Sequence, residues 1–156
     1  MTGREPIVRL RGEGEEFKFA IASVLRKFTG EETEGRVSAV ELLLEAHHSG
    51  PPLHTDDHDE IFVVQTGVLR LRVGDAEFDV PMGSVLLVPT GVPHTFANRG
   101  SHDVRMLALF SPAGFERYFE EVARELPPGT PADPAKLGPI AAKYGLQTVG
   151  PPLEAS

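Results

Sequence analysis

The middle of the chain alternates short apolar runs with tight turns, and this pattern constrains the fold more than any other feature. Between residues 60 and 110 the runs are separated by T-G, G-D, P-M-G and P-T-G-V-P, at spacings near ten residues. Short runs bounded in this way predict β-strands. The 16 glycines and 14 prolines agree, because such a density of turn residues suits many short strands better than long helices. The sequence therefore predicts an all-β barrel or sandwich.

Strands are also predicted before this region. Phe17, Phe19 and Ile21 lie at every second position, and the pattern continues to Phe28, as expected for a half-buried strand. A shorter strand is predicted around residues 7–10. The later strands are predicted at residues 37–46, 61–65, 68–73, 76–80, 84–88, 94–97 and 104–110.

A helical pattern replaces the strand pattern near the C-terminus. Apolar residues recur three and four positions apart over residues 112–126, with Ser111 as the predicted N-cap and Pro112 at the first helical position. We expect this stripe to pack on the outside of the barrel, with coverage of a barrel mouth or a dimer face as the alternative. Residues 133–144 predict a second helix that Gly145 ends. The apolar stripe of the first helix consists of Phe115, Tyr118, Phe119, Val122 and Ala123.

These patterns divide the chain into three consecutive parts of one domain. Residues 1–35 are expected to form a leader and N-terminal strands, residues 36–111 the barrel core, and residues 112–156 the C-terminal helices and tail. A length of 156 residues suits one domain with a complete hydrophobic core.

Residues 54–60, H-T-D-D-H-D-E, concentrate titratable side chains immediately before an apolar strand. His54 and Asp56 are two positions apart, so on a strand both would point into a barrel. A turn would then return Glu60 on the neighbouring strand, again facing inward, and His94 begins another predicted strand. Four inward side chains on adjacent strands can surround one ion in a barrel too narrow for bulk water. We therefore predict a metal site.

A second motif reads Gly83-x5-Pro89-x-Gly91-x2-His94-x3-Asn98. It matches, position for position, the second signature of the cupin superfamily, and the chain resembles that family from about residue 37 to 110. The C-terminal S-P-A-G-F-E-R-Y-F is similar to the tail of small single-domain cupins related to bacterial quercetin dioxygenases. The resemblance implies a cupin barrel, which is a double-stranded β-helix or jelly roll, with one or two short C-terminal helices.

The first signature of that family, G-x5-H-x-H-x3–4-E-x6-G, is matched only in part. His54 stands six residues before Glu60, where the first histidine belongs, and Gly67 follows at the expected distance. Asp56 occupies the position of the second histidine. The family's ligand set of three histidines and one glutamate is therefore incomplete here.

Several outcomes follow from this departure. Asp56 could ligate directly or through water, which we favour. It could be too short to reach, leaving His54, Glu60 and His94 as a two-histidine, one-carboxylate set. His58 could swing in as the third imidazole; otherwise it is expected to be a solvated loop residue. The site could also hold no metal. If one divalent transition metal binds, the ligand types suit Fe, Mn, Co, Ni, Cu or Zn, and the sequence does not choose among them.

No functional role is predicted for three other histidines, His47, His48 and His102, which we expect at the surface or at strand ends. Asp57 and Asp59 are expected to cap the turn or to face water. Structural roles, in shaping the turns that aim the ligands, are expected for Gly67, Gly83, Pro89, Gly91 and Asn98.

The resemblance implies a quercetinase-like dioxygenase acting on a hydroxy-ketone or enol, with Glu60 as both ligand and general base. The alternatives are a Lewis-acid cyclase or isomerase on a polyketide-like or sugar-like substrate, and a non-catalytic ligand-binding cupin with a decayed metal site. The pocket wall is expected to use about half of Phe62, Val64, Leu69, Leu71, Leu86, Val88, Phe96, Met106 and Ala108.

Bulk composition excludes some partners and sites. A net charge of -8 without a basic stripe argues against nucleic acid, and no apolar run reaches the length of a membrane span. Without cysteine, disulfides and thiolate metal sites are excluded, which is compatible with a reducing compartment. We saw no signal peptide and expect a cytoplasmic protein. The family resemblance also implies a homodimer.

Overall fold

Two β-sheets and two short helices make up the described part of the chain, residues 3–19 and 22–156 of this computed structural model. The first half of the chain supplies β1 (Glu15–Phe19), β2 (Ala22–Phe28), β3 (Ser38–Leu44), β4 (His48–Ser49), β5 (Pro52–Thr55), β6 (Asp59–Thr66) and β7 (Val68–Val73). The second half supplies β8 (Ala76–Pro81), β9 (Val85–Val88), β10 (His94–Asn98), β11 (Val104–Ser111), α1 (Glu116–Glu125), α2 (Pro134–Lys143) and β12 (Gln147–Pro152).

Both sheets are antiparallel and share one core. Sheet I has the order β1-β2-β3-β11-β6-β9, and sheet II has the order β12-β5-β10-β7-β8, with β4 also paired to β10. Alternate residues of β6 and β11 are buried, so that Phe62 and Met106 of sheet I meet Leu71 and Phe96 of sheet II in one apolar cluster. The predicted all-β architecture is confirmed.

The N-terminal strand prediction was wrong in two respects. The alternation from Phe17 to Phe28 belongs to a hairpin and not to one strand, because β1 pairs with β2 with Phe19 opposite Ala22. Ile21, which was part of the predicted alternation, lies outside the described residues. No strand forms at residues 7–10. The Lys27 ammonium donates to the carbonyls of Leu10 and Glu13, so at Leu10 a side chain and not a neighbouring strand is the hydrogen-bond partner.

The first helix begins later than predicted. Ser111 ends β11 and donates its hydroxyl hydrogen bond to the Arg36 carbonyl, so it is not the N-cap. Gly114 has a φ of 140°, which interrupts any helix that would start at Pro112. The helix therefore starts at Glu116, with Phe115 at the N-cap position.

The second helix was predicted correctly, whereas the last strand was missed. Asp133 caps α2 by accepting a hydrogen bond from the Ala135 amide (3.0 Å), and Gly145 follows the helix with a φ of 80°. Strand β12 pairs with β5 at the edge of sheet II. Its sequence, Q-T-V-G-P-P, has no alternation, and its prolines are tolerated only because the strand lies at an edge.

A buried carboxylate, Glu116, joins α1 to the barrel. It is 1% exposed, and its two oxygens accept hydrogen bonds from the amides of Gly30 and Gly114, each 2.7 Å long. Burial opposes ionisation of Glu116, but the adjacent Ser38 hydroxyl and these amides outweigh it and lower the pKa of the carboxyl. No role was predicted for Glu116 from the sequence.

We expect Glu116→Gln to lower the free energy of unfolding by about 1–3 kcal/mol at neutral pH, because one buried amide loses its acceptor. The pKa of Glu116 is lower in the folded chain than its ordinary value of 4.5, so the ionised form stabilises the fold fully above that value. The contribution is lost as the pH falls through the lowered pKa. Denaturant titrations of both proteins should therefore differ at pH 7 and converge in acid; a difference independent of pH would contradict this assignment.

Candidate metal centre

Two histidines face each other on neighbouring strands of sheet II. His54 of β5 lies directly opposite His94 of β10, and their ring centroids are 4.4 Å apart. The Nδ1 atoms lie 2.7 Å from the Pro52 carbonyl and 3.0 Å from the Val92 carbonyl, respectively. Because a carbonyl only accepts, each Nδ1 carries a proton and donates it. Both rings are thereby oriented with Nε2 toward the barrel interior.

Two carboxylates approach the same point. Glu60, at the start of β6, places Oε2 2.8 Å from Nε2 of His94. Asp56, between β5 and β6, places Oδ2 3.3 Å from Nε2 of His94 and 3.6 Å from Nε2 of His54. The prediction that all four residues lie on adjacent strands was wrong for Asp56, which lies between two strands, and for Glu60, because β5 and β6 belong to opposite sheets. The connection between them passes from one sheet to the other.

The four side chains fit a metal ion. They are 1–6% exposed, and their potential ligand atoms all lie within 4.8 Å of one another. The buried Oδ1 of Asp56 has no hydrogen-bond partner in the described part of the chain. Two buried carboxylates with an unsatisfied oxygen are costly unless a cation compensates them. The imidazole and carboxylate donors are those that divalent transition metals accept, so this cluster can hold such an ion.

The carboxylates also change the proton affinities of the histidines. Burial disfavours the charged form of His94, but hydrogen bonds to Asp56 and Glu60 outweigh it and raise the pKa of His94 to about 10. Burial, aided by the neighbouring His94, lowers the pKa of His54. Burial opposes ionisation of Asp56, yet the hydrogen bond to His94 and the nearby histidines lower its pKa. A metal cation and the His94 proton therefore compete for one nitrogen.

His58 is buried, so the expectation of a solvated loop histidine was wrong. It is 4% exposed, and its ring lies 4.9 Å from the ring of Phe115 and 5.3 Å from that of Phe110. Its Nε2 is 3.9 Å from Oδ2 of Asp56, and it is not one of the four clustered residues. The loop turns His58 inward because aromatic side chains offer it a packing site.

The remaining predictions around the turn have mixed outcomes. Asp59 accepts hydrogen bonds from the amide and hydroxyl of Thr90, as a capping residue should, while Asp57 is exposed. His47 and His102 are exposed, as predicted. His48 is half-buried on β4 and lines the cavity beside the site. The even spacing between His48 and His54 is the sequence signal that indicates this position.

The second motif builds the support beneath His94. The Asn98 amide donates to the carbonyls of Leu44, Glu45 and His102, which ties β10 to the end of β3. The Gly91 amide donates to the Asp56 carbonyl (2.9 Å), which joins the two sequence motifs directly. The structural role predicted for these two residues agrees with these contacts.

A cavity opens beside the four-residue cluster, beneath α1. Its volume is about 90 Å³, and apolar and aromatic side chains make most of its wall. The helix stripe was expected on the outside of the barrel, with coverage of a barrel mouth as the alternative. Its residues Phe115, Tyr118 and Phe119 line this cavity, and Phe115 and Phe119 belong to the barrel core. Among the predicted wall residues Phe96 lines the cavity, whereas Phe62 and Met106 are buried in the core. The lining includes Phe19, Leu42, Leu44, His54, Glu60, Phe96, Phe115, Tyr118, Phe119 and Leu146.

Comparison with known proteins identifies the fold and the domain. Residues 40–110 match the model of the cupin domain. KdgF from Halomonas sp. is 16% identical, with a TM-score of 0.63 over 72% of this chain and 99% of that one. An RmlC-like cupin from Shewanella frigidimarina is 17% identical, with a TM-score of 0.58 over 74% and 99%.

Two further comparisons cover only part of the matched protein. A variant of oxalate decarboxylase from Bacillus subtilis is 17% identical, with a TM-score of 0.59 over 74% of this chain and 33% of that one. An uncharacterized protein of Streptomyces coelicolor is 43% identical over 54 residues, which are 35% of this chain and 50% of that protein. The chain thus matches about half the length of this curated relative. The low identities to solved structures show the fold alone.

Neither described helix is long and apolar enough to cross a membrane.

Proposed function

We propose that this chain, a member of the cupin superfamily, is a metal-dependent enzyme that acts on a small molecule. The observation that carries the proposal is the buried cluster of two histidines and two carboxylates, which borders an apolar cavity. A protein that only binds an apolar ligand would not need two buried carboxylates, one of them with an unsatisfied oxygen, next to its cavity. Such groups beside a cavity are typical of catalytic sites.

The proposed metal ligands are His54, Asp56, Glu60 and His94. Asp56 is preferred to His58 because its Oδ2 already lies within 3.6 Å of both histidine Nε2 atoms, whereas His58 packs against aromatic rings. One divalent ion per chain fits four ligand atoms at this spacing. Fe, Mn, Co, Ni, Cu and Zn all accept such donors.

The most specific form of the proposal is a dioxygenase acting on an enol or hydroxy-ketone. A divalent transition metal held at the site would supply Lewis acidity to substrate oxygens and, if redox-active, reactivity toward dioxygen. Glu60 lines the cavity, so its carboxylate can accept the proton of a substrate hydroxyl. His54 and His94 are fixed by their backbone hydrogen bonds, and the aromatic walls exclude water from the reacting atoms.

The apolar cavity wall favours some of the candidate substrate classes over others. Sugar hydroxyls would find few partners among mainly apolar side chains, and a buried hydroxyl without a partner is costly. A Lewis-acid cyclase with a polyketide-like substrate would fit the same apolar wall, and it is the second candidate. A non-catalytic ligand-binding protein is the third.

Oxygen uptake by metal-reconstituted protein tests the enzyme class. We expect uptake that depends on both metal and an enol or hydroxy-ketone, and a fall of about 100-fold or more per bound metal in Glu60→Gln, as for loss of a general base. Glu45→Gln, at an exposed carboxylate, is the matched control. Substrate conversion without oxygen uptake would favour the cyclase. Protein that retains no metal after reconstitution would contradict both enzyme hypotheses.

We also propose that the protein is a homodimer and that it is located in the cytoplasm. Support for a dimer comes from edge strand β9, whose Val85 and Leu87 are 66% and 60% exposed and offer an apolar surface to a second copy.

A further inference from the structure

Tyr118 is a residue of the cavity wall whose hydroxyl the mechanism above does not use. Tyr118 lies on α1 and lines the cavity together with His54 and Glu60. Its hydroxyl makes no hydrogen bond within residues 3–19 and 22–156. By contrast, the hydroxyl of the neighbouring Tyr144 donates to Oε2 of Glu121 (2.6 Å). Largely buried tyrosines usually find a partner for this group, so an unpaired phenol at a cavity is available to a ligand.

The Tyr118 ring is held in place by three aromatic neighbours. It stacks on Phe115 with centroids 5.0 Å apart and an interplanar angle of 16°, and it meets Phe119 edge-on at 5.4 Å. Tyr144 packs against it edge-on at 6.2 Å. A ring fixed in this way presents its hydroxyl without losing much conformational entropy when a ligand binds. The phenol is protonated at neutral pH, and so it is a donor there.

The size and polarity of the cavity limit the ligand. Its volume of about 90 Å³ is smaller than the ~150 Å³ apolar cavity that holds a benzene molecule. A three-ring flavonol would not fit beneath α1 without displacing it. The polar groups that meet the cavity, namely Glu60, His54, His48 and Tyr118, suit a ligand with few oxygen atoms on an apolar body.

We propose that Tyr118 donates a hydrogen bond to a substrate oxygen, and that the substrate is an enol or hydroxy-ketone no larger than one small ring. This inference rests on the proposed function, because it names the substrate class of the same site. Tyr118 is then a substrate-binding residue carried by helix α1, which contributes to the cavity wall. The aromatic face of that helix covers the apolar body of the ligand, while its phenol selects for oxygen.

Ligand-observed NMR titration with cyclopentane-1,2-dione, a planar single-ring enol in solution, tests this inference. We expect Tyr118→Phe, which keeps the ring and its stacking, to weaken dione binding by about 3–10-fold, as loss of one hydrogen bond does. Binding of cyclopentane, which has the same ring but offers no oxygen, should stay unchanged. Tyr144→Phe is the matched control and should leave both affinities unchanged, because its hydroxyl is bound to Glu121. The three-ring 3-hydroxyflavone should bind more weakly than the dione.

The outcomes separate this inference from the enzyme proposal, because metal content is measured on every sample. Equal dione binding by wild type and Tyr118→Phe would overturn the role of Tyr118. Metal-loaded protein that binds the flavone and not the dione would overturn the size limit. If the chain retains no metal but Tyr118→Phe still weakens dione binding, the enzyme proposal fails, and Tyr118 remains the residue that binds the ligand oxygen.

Discussion

Replacement of His94 by alanine is expected to abolish metal binding. His94 is 1% exposed, and its Nε2 lies within 3.3 Å of both carboxylates, so it is the most central of the four proposed ligands. Loss of an outer-shell partner typically costs ~10–100-fold in metal affinity, and loss of a ligand should exceed that range. Competition with a chromophoric chelator, together with elemental analysis, measures the change.

Two further variants in the same assay decide between Asp56 and His58. We expect Asp56→Ala to lose the metal and His58→Ala to retain it within about 10-fold, the lower limit for an outer-shell neighbour. Both residues are buried, so the comparison is matched for burial. His102→Ala, at an exposed histidine, controls for nonspecific binding. If only His58→Ala lost the metal, the assignment of Asp56 would be wrong, and the loop would have to bring His58 to the ion.

Gly50→Ala is expected to destabilise the fold by about 3 kcal/mol, at the upper end of the usual cost of overpacking. A Cβ at Gly50 would lie 1.8 Å from the carbonyl oxygen of Phe96, which is backbone and cannot rotate away. Relief requires that β10 move from the segment joining β4 to β5. That movement would also separate His94 from His54, so metal affinity should fall together with stability.

Urea titration followed by circular dichroism measures the effect on stability, since the chain has no tryptophan to report unfolding by fluorescence. Gly3→Ala is the matched control: it adds the same methyl group where no atom lies within 4 Å, and it should change stability by less than about 0.5 kcal/mol. A loss below about 1 kcal/mol for Gly50→Ala would show that the two segments can separate without strain.

The sequence allowed the strands and much of the candidate site to be predicted, because both depend on local spacing. The fixed offsets of the second motif identified His94 and the supporting Asn98, and the even spacing of residues 54–60 indicated His54, Asp56 and Glu60. The boundaries of β7 were predicted to the residue, since its alternation is bounded by turn glycines on both sides.

The errors concern features that spacing does not determine. An amphipathic stripe shows that a helix buries one face, but it does not show which surface covers that face. For this reason α1 was expected outside the barrel, and no binding role was predicted for Tyr118. The direction of His58 depends on Phe110 and Phe115, which are distant in sequence. The change of sheet between β5 and β6 is a tertiary property, and a period of two is the same on either side of it.

That change of sheet would give a bound ion a mechanical role in addition to a chemical one. His54 and His94 belong to one sheet and Glu60 to the other, so a metal ligated by all three would join the two layers at a single point. Such a bond closes a loop in the chain much as a disulfide does, in a protein that has no cysteine. Occupancy of the site would then stabilise the folded state in proportion to the logarithm of the free metal concentration. The concentration of the free ion would then affect the stability of the fold as well as the activity of the site.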